Sequence, residues 1–208
     1  MYFILYGIVY LKVILHVKLE NKKILKKYKR KGYFLYGNHT QTVGDVFIPA
    51  FVCSPKRIYI IASQSNLGIA GFGKILPMLG ALPIPDSIKN KKEFIKAVET
   101  RINQKNCVVI YPESHVWPYY TKIRPFNEGA FKFQVNQNMP SFCITTTYYK
   151  RKYGKKPGIK VFIDGPFMPD VNLNKKEKAE KLSKEIYESM TNRIINSTYE
   201  YIKYIKEN

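Results

Sequence analysis

The sequence predicts a single α/β domain built on a mixed, mostly parallel sheet of about seven strands flanked by helices. Three observations carry this expectation. Short β-rich runs alternate with helix-length stretches along most of the chain. Several of these runs are apolar without polar alternation, the pattern of strands covered on both faces. A chain of 208 residues with no Pro- or Ser-rich linker and no internal repeat suits one continuous core.

Residues 1–16, MYFILYGIVYLKVILH, are mostly apolar but contain Lys12 and are followed by the basic run Asn21–Lys31. A bilayer span needs about 20 apolar residues. A signal peptide would place its positive charge ahead of the apolar stretch and a small-residue cleavage site behind it. The expectation is therefore a helix lying in the membrane interface, with Lys12 snorkelling and Tyr2, Tyr6 and Tyr10 at head-group depth. A helix packed on the domain's own core is the alternative. Residues 17–208 form the domain itself.

Strands are expected at Ile14–Leu19, Tyr33–Tyr36, Arg57–Ile61, Ala81–Ile84, Cys107–Tyr111, Phe142–Tyr148 and Ile159–Ile163. Helices are expected at Val43–Cys53, Asn66–Met78, Lys89–Gln104 and Glu128–Asn138. The final helix begins near Asn174, with Glu177 placed to complete a reciprocal cap. Leu182, Ile186, Met190 and Ile194 follow at four-residue spacing and form an apolar stripe for core packing.

The formal charge is +20, from 35 Lys and Arg against 15 Asp and Glu. An anionic partner is expected: phospholipid head groups, a phosphorylated substrate or nucleic acid. Richness in Lys, Asn, Ile and Tyr together also follows from an AT-rich genome, so charge alone does not choose among these. Cys53, Cys107 and Cys143 show neither CxxC nor Cys/His metal spacing and read as buried thiols of a reducing compartment.

The chemistry concentrates in Gly37-Asn38-His39-Thr40-Gln41-Thr42-Val43-Gly44-Asp45, which follows an apolar strand and precedes an apolar helix. A loop at a strand's end is where α/β sheets place their sites. His39 has a carboxylate nearby in sequence, and such a pair has a clear use. The imidazole takes a proton from an attacking hydroxyl while the carboxylate sets its tautomer and stabilises the imidazolium. A solvent-exposed, structural histidine fits this segment taken alone as well.

A second segment follows the strand Cys107–Tyr111: Pro112-Glu113-Ser114-His115, then Arg124-Pro125-Phe126-Asn127-Glu128-Gly129-Ala130-Phe131, and later Met139-Pro140 leading into a strand. Together with the His39 segment, this order resembles the glycerolipid acyltransferase superfamily, specifically the 1-acyl-glycerol-3-phosphate acyltransferases. That family carries a His-x4-Asp block usually preceded by Asn, a Gly block ending in Arg, a Pro-Glu-Gly-Thr-Arg block, and a Pro near a late strand. The chain departs from it at three places. Five residues separate His39 from Asp45, so either Gly44 allows a one-residue bulge or Asp45 does not orient the histidine. Asp86 stands near where an arginine would follow Gly80-Ala81-Leu82-Pro83-Ile84-Pro85. Ser114-His115 replace Gly-Thr-Arg, leaving Lys122 or Arg124 to supply positive charge.

The resemblance implies that His39 deprotonates the free hydroxyl of a lysophospholipid, most simply lysophosphatidic acid, which attacks the thioester of acyl-CoA or acyl-carrier protein. Asp45 would orient His39. Asn38, Thr40 and Gly129 are candidates to meet the oxyanion, and Glu113 would position the acceptor's polar head, or else cap a turn or pair with a lysine. The resemblance implies no metal and no tightly bound cofactor. The expected setting is the cytoplasmic face of the cell membrane, peripheral or monotopic, against an anionic surface and without a nucleic-acid partner.

Other constellations are weaker. Ser63 and Ser65 lack a Gly-x-Ser-x-Gly elbow. Ser114 and His115 are adjacent, so their side chains diverge. No P-loop, GxGxxG or HExxH is present, and Gly68-x-x-Gly71-x-Gly73 lies inside a helix candidate. Two rivals remain: a thioesterase on the same fold, with water as acceptor, and a basic nucleic-acid-binding module, favoured by the +20 charge and 14% aromatic content.

Overall fold

The computed structural model describes residues 16–63, 80–87 and 89–205. The helix candidate Asn66–Met78, with its glycines, and the interfacial helix, apart from His16, lie outside the described residues.

The described residues contain seven strands: β1 Lys18–Glu20, β2 Tyr33–Gly37, β3 Ile58–Ala62, β4 Ala81–Pro83, β5 Cys107–Ile110, β6 Ser141–Tyr149 and β7 Gly158–Phe167. They form one sheet in the order β1-β7-β6-β2-β5-β3-β4. Strands β2 to β6 all run one way, while β7 is antiparallel to β6 and β1 is parallel to β7. The predicted class, α/β with a mixed and mostly parallel sheet, is the one observed.

Among the described residues four α-helices accompany it: α1 Gly44–Cys53, α2 Lys91–Asn103, α3 Lys132–Gln137 and α4 Lys175–Ile194. Strand β2 shows why both faces must be covered. Tyr33 and Leu35 point to one side, against Ile48 and Val52 of α1. Phe34 and Tyr36 point to the other, against α2, α3 and the Leu182–Ile186–Met190 stripe of α4. All these residues are buried, so polar alternation would have left unpaired groups in a dry core. Helix α4 starts at Asn174, whose side chain accepts from the Lys176 and Glu177 N–H groups while Glu177 reaches back to the Asn174 N–H.

Four elements differ from expectation. Strand β1 covers Lys18–Glu20, not Ile14–Leu19, since His16, at φ 48°, and Val17 lie outside it. Lys22–Tyr28 is a 3-10 helix; its lysines hide an apolar face on which Leu25 is buried and Ile24 and Tyr28 pack against the core. The span Glu128–Asn138 is a 3-10 turn, Glu128–Phe131, continued by α3, and it stops at Asn138, which adopts φ 48°. Strand β7 runs four residues past Ile163, to Phe167, because Asp164-Gly165-Pro166 reads as a turn yet continues the ladder beside an irregularity at Ser141 and Cys143. Only glycine suits position 165, where φ is 126° and a Cβ would meet Phe142 at 2.9 Å.

The sheet order places the His39 and Glu113 loops side by side. Strands β2 and β5 are parallel neighbours, with Tyr36 opposite Ile110. The chain leaves β2 toward β3 on one side and leaves β5 toward β6 on the other. Both loops therefore emerge at a switch point at the strands' carboxyl ends, where open α/β sheets form a crevice.

Candidate active site

His39 lies two residues beyond β2, and its Nδ1 is 2.8 Å from Asp45 Oδ2. The extra residue in the spacing does not separate them. Asp45 is the second residue of α1, and its N–H donates to the Gln41 carbonyl at 3.1 Å, closing a turn over the loop. Gly44 is required here by a close approach: a Cβ would sit 2.9 Å from the Gln41 side chain. With Asp45 ionised, Nδ1 carries the imidazole proton and Nε2 keeps the lone pair of a base. The His39 side chain retains 24% of its exposure whereas that of Asp45 retains 4%.

Burial holds the Asp45 carboxyl above its ordinary value of 3.8, opposed by the bond to His39 and by the Gln41 and Thr40 N–H groups. Gln41 N donates to Asp45 Oδ2 at 2.8 Å. A buried carboxylate of this kind is stabilised when its partner imidazole becomes cationic, so accepting a proton at His39 relieves an existing electrostatic cost.

Tyr111, the residue after β5, lies flat against the imidazole, with ring centroids 4.5 Å apart and planes at 19°. Its hydroxyl donates to the Asp45 carbonyl at 2.6 Å. Gly37 leaves room for this ring, since a Cβ there would meet Tyr111 at 2.7 Å. Tyr111 therefore fixes the plane of His39 while Asp45 fixes its in-plane direction.

Glu113 secures the other side of the loop. Its Oε2 accepts from the His39 backbone N–H at 3.1 Å and from Arg124 Nη2 at 2.8 Å. Its Oε1 accepts from the Arg124 N–H at 3.1 Å. Arg124 also donates to the His115 carbonyl, and its guanidinium lies 5.0 Å from the Trp117 ring centre. Glu113 is thus a buried joint between the His39 loop and Arg124, not an open carboxylate facing a head group. Removing one member of a buried pair costs about 3–5 kcal/mol. Thermal unfolding of Glu113→Gln should show a loss of about 3 kcal/mol, accompanied by lower turnover well below the melting point, where the protein is still folded.

The three oxyanion candidates are otherwise engaged. Asn38 Nδ2 donates to the Thr146 carbonyl at 3.0 Å and its Oδ1 accepts from the Thr146 N–H at 2.7 Å, tying the loop to β6. The Gly129 N–H donates to Asn127 Oδ1 at 2.9 Å. The Thr40 N–H serves Asp45, and Thr40 Oγ1 is 2.7 Å from the Tyr148 hydroxyl. The Asn38 side chain and the Gly129 N–H are therefore turned to the protein in this structure. Among the described residues, Lys122 is exposed on the loop before Arg124.

Two residues of this assembly escaped the sequence reading. Tyr111 could have been found from the β2–β5 pairing, which sets it beside the end of β2. Tyr148 had no such signal: it lies far along β6, where its hydroxyl donates to the Thr40 carbonyl at 3.1 Å and accepts from Gln41 Nε2 at 2.9 Å. Tyr148→Phe leaves three buried groups, the Thr40 carbonyl, Thr40 Oγ1 and Gln41 Nε2, without that partner, at about 1–3 kcal/mol. We expect about 2 kcal/mol less stability in a denaturant titration, with an unchanged m-value.

At Pro112-Glu113-Ser114-His115 the chain turns with Ser114 at φ 68°, a conformation that glycine adopts without penalty. His115 is exposed, and its N–H donates to the Glu113 carbonyl. Cys53, Cys107 and Cys143 are free and buried. No helix among the described residues is long and apolar enough to cross a membrane, and no group of metal-ligating side chains occurs among them.

Comparison with known proteins gives two findings. A family model described as Acyltransferase matches residues 16–148. The crystal structure of PlsC, the 1-acyl-sn-glycerophosphate (LPA) acyltransferase from Thermotoga maritima, is similar with a TM-score of 0.62 at 13% identity, over 88% of this chain and 73% of that one. At that identity the likeness is one of fold. No curated protein matches the sequence.

Proposed function

The chain belongs to the acyltransferase family, within the glycerolipid acyltransferase superfamily, and from that premise we propose that it acylates the free hydroxyl of lysophosphatidic acid to give phosphatidic acid. The donor is the thioester of acyl-CoA or of acyl-carrier protein. The observation that carries the reading is the 2.8 Å contact between His39 Nδ1 and Asp45 with Tyr111 stacked beneath it. This arrangement holds one imidazole nitrogen as a proton acceptor in a fixed direction.

In the proposed reaction, Nε2 of His39 removes the proton from the acceptor hydroxyl as its oxygen bonds to the thioester carbonyl carbon. The tetrahedral intermediate collapses with cleavage of the C–S bond. The leaving thiolate then takes the proton from the His39 imidazolium, which regenerates the base. Asp45 stabilises that imidazolium, and no acyl-enzyme forms. Glu113 acts by holding the His39 backbone and by fixing Arg124, and the positive charge of Arg124 and Lys122 serves the acceptor's phosphate. The reading places the protein at the cytoplasmic face of an anionic membrane, where its +20 charge is complementary to the lipid head groups.

The test is transfer of labelled acyl groups from acyl-CoA and acyl-carrier protein to a panel of lysolipids. Labelled phosphatidic acid as the main product supports the reading. Free fatty acid with no lipid product identifies a thioesterase and overturns it. Lys122→Ala should raise the KM for phosphorylated acceptors about tenfold through the loss of a charge-assisted hydrogen bond. The KM for an uncharged acceptor should not change.

A further inference from the structure

After α4 the chain doubles back. The Ser197 hydroxyl accepts from the Tyr148 N–H at 2.9 Å, and the Thr198 and Tyr199 N–H groups donate to the Tyr148 carbonyl at 2.9 and 3.3 Å. The segment then crosses the loop that follows Glu113. Tyr201 packs edge-on against Tyr119, with centroids 4.8 Å apart. Tyr204 stacks on Trp117 at 5.2 Å and meets Tyr120 edge-on at 5.2 Å, and its hydroxyl donates to the Pro118 carbonyl at 2.9 Å.

These rings order one another without being covered. Trp117 keeps 39% of its surface, Tyr201 37%, Ile202 37%, Tyr204 38% and Ile205 79%. Single exposed apolar residues are ordinary, but a joined cluster of them beside a site marks an interaction surface. This cluster is bonded directly to the His39 loop, because the Trp117 N–H donates to the His39 carbonyl at 3.0 Å and the Tyr119 N–H to the Thr40 carbonyl at 2.8 Å.

We propose that the Tyr199–Ile205 segment and the Trp117–Tyr120 loop form the face by which the protein sits on an anionic lipid bilayer, with the His39 loop opening at that face. The occupant follows from the chemistry. Tyrosine and tryptophan present an apolar body and a polar tip, which suits head-group depth. Isoleucines 202 and 205 supply the apolar insertion. Lys122 and Lys203 are exposed next to these segments along the chain, Arg124 lies 5.0 Å from the Trp117 ring with its charge paired to Glu113, and Glu200 is the single acid in the 197–205 stretch. A protein partner would call for a groove or a dry apolar core; this cluster offers rings with polar tips among cations.

The inference rests on the proposed lipid acceptor for its functional sense, since a lipid hydroxyl reaches His39 only if the loop faces the bilayer. Its test needs no catalysis. Trp117 is the sole tryptophan of the chain, so its fluorescence reports this face alone. The full chain is titrated with phosphatidylcholine vesicles containing phosphatidylglycerol, with or without brominated acyl chains. We expect a blue shift of Trp117 emission, quenching by the brominated lipid, and weaker effects with phosphatidylcholine alone. Replacing Tyr204→Ser and Ile205→Ser together should weaken vesicle partition about tenfold while leaving transfer to a short-chain, monomerically dispersed acceptor unchanged. Sedimentation with vesicles without a change at Trp117, or no sedimentation, overturns the assignment. So does an emission shift that appears only with acyl-carrier protein. Loss of the proposed reaction shows instead as absent transfer with Trp117 still responding.

Discussion

Asp45→Asn should lower the turnover of the proposed acyl transfer on the order of 10²-fold or more while leaving the folded protein nearly unchanged. The two effects separate because Asp45 does two things. As a carboxylate accepting from His39 Nδ1 at 2.8 Å it fixes the tautomer and offsets the charge of the imidazolium. An asparagine amide can still accept one hydrogen bond but cannot neutralise that cation. For stability, the variant gains by removing a buried charge and loses one well-placed acceptor, so the net change at neutral pH is within about 1 kcal/mol.

The pH dependence gives a sharper signature. Burial raises the Asp45 carboxyl in the folded protein above its ordinary 3.8, so the folded state binds this proton more tightly than the unfolded chain does. The stability it contributes is complete below the ordinary value and is lost as pH rises through the raised one. The melting temperature of Asp45→Asn relative to wild type should therefore climb from about pH 4 upward and then level off. Thermal unfolding of both proteins across that range checks it, and a difference that falls with pH contradicts the assignment.

His39→Ala has a larger expected effect, a loss on the order of 10³–10⁴-fold in turnover. The imidazole is partly exposed and fills no part of the apolar core, so its removal leaves the fold in place. Tyr111 loses its stacking partner but keeps its bond to the Asp45 carbonyl. The two substitutions act on one unit. The double variant His39→Ala with Asp45→Asn should be no slower than His39→Ala alone, because a carboxylate without its imidazole has nothing to orient.

The strands and helices were legible because burial on both faces forces unbroken apolar runs, as in Tyr33–Tyr36 and Cys107–Ile110. Helix α4 announced its start through Asn174 and Glu177. The 3-10 turn at Lys22–Tyr28 was not legible, since lysines dominate its composition and only Leu25 is buried in it. The His39 loop could be located from its place at a strand's end, but its internal wiring could not. Whether five intervening residues let Asp45 reach His39 depends on how tightly the chain turns before α1. That turn depends on Gly44 lying against Gln41, and Gln41 is itself held by Tyr148 from across the sheet. The same limit hid the role of Glu113. Its sequence neighbours suggest a turn cap, a pair with a lysine or a ligand contact, and only the adjacency of β2 and β5 brings its carboxylate under the His39 N–H. The partners of the Asn38 side chain and the Gly129 N–H were hidden for a related reason: Thr146 and Asn127, which engage them, are brought close only by the folded chain.

The most direct test of His39 as an oriented base is a side-by-side assay of wild type and His39→Ala. It follows labelled acyl transfer from acyl-CoA and from acyl-carrier protein to lysophosphatidic acid, with folding of both proteins verified by circular dichroism. The account predicts labelled phosphatidic acid from the wild type and a rate on the order of 10³-fold lower or less from the variant. Equal rates from the two folded proteins would contradict it.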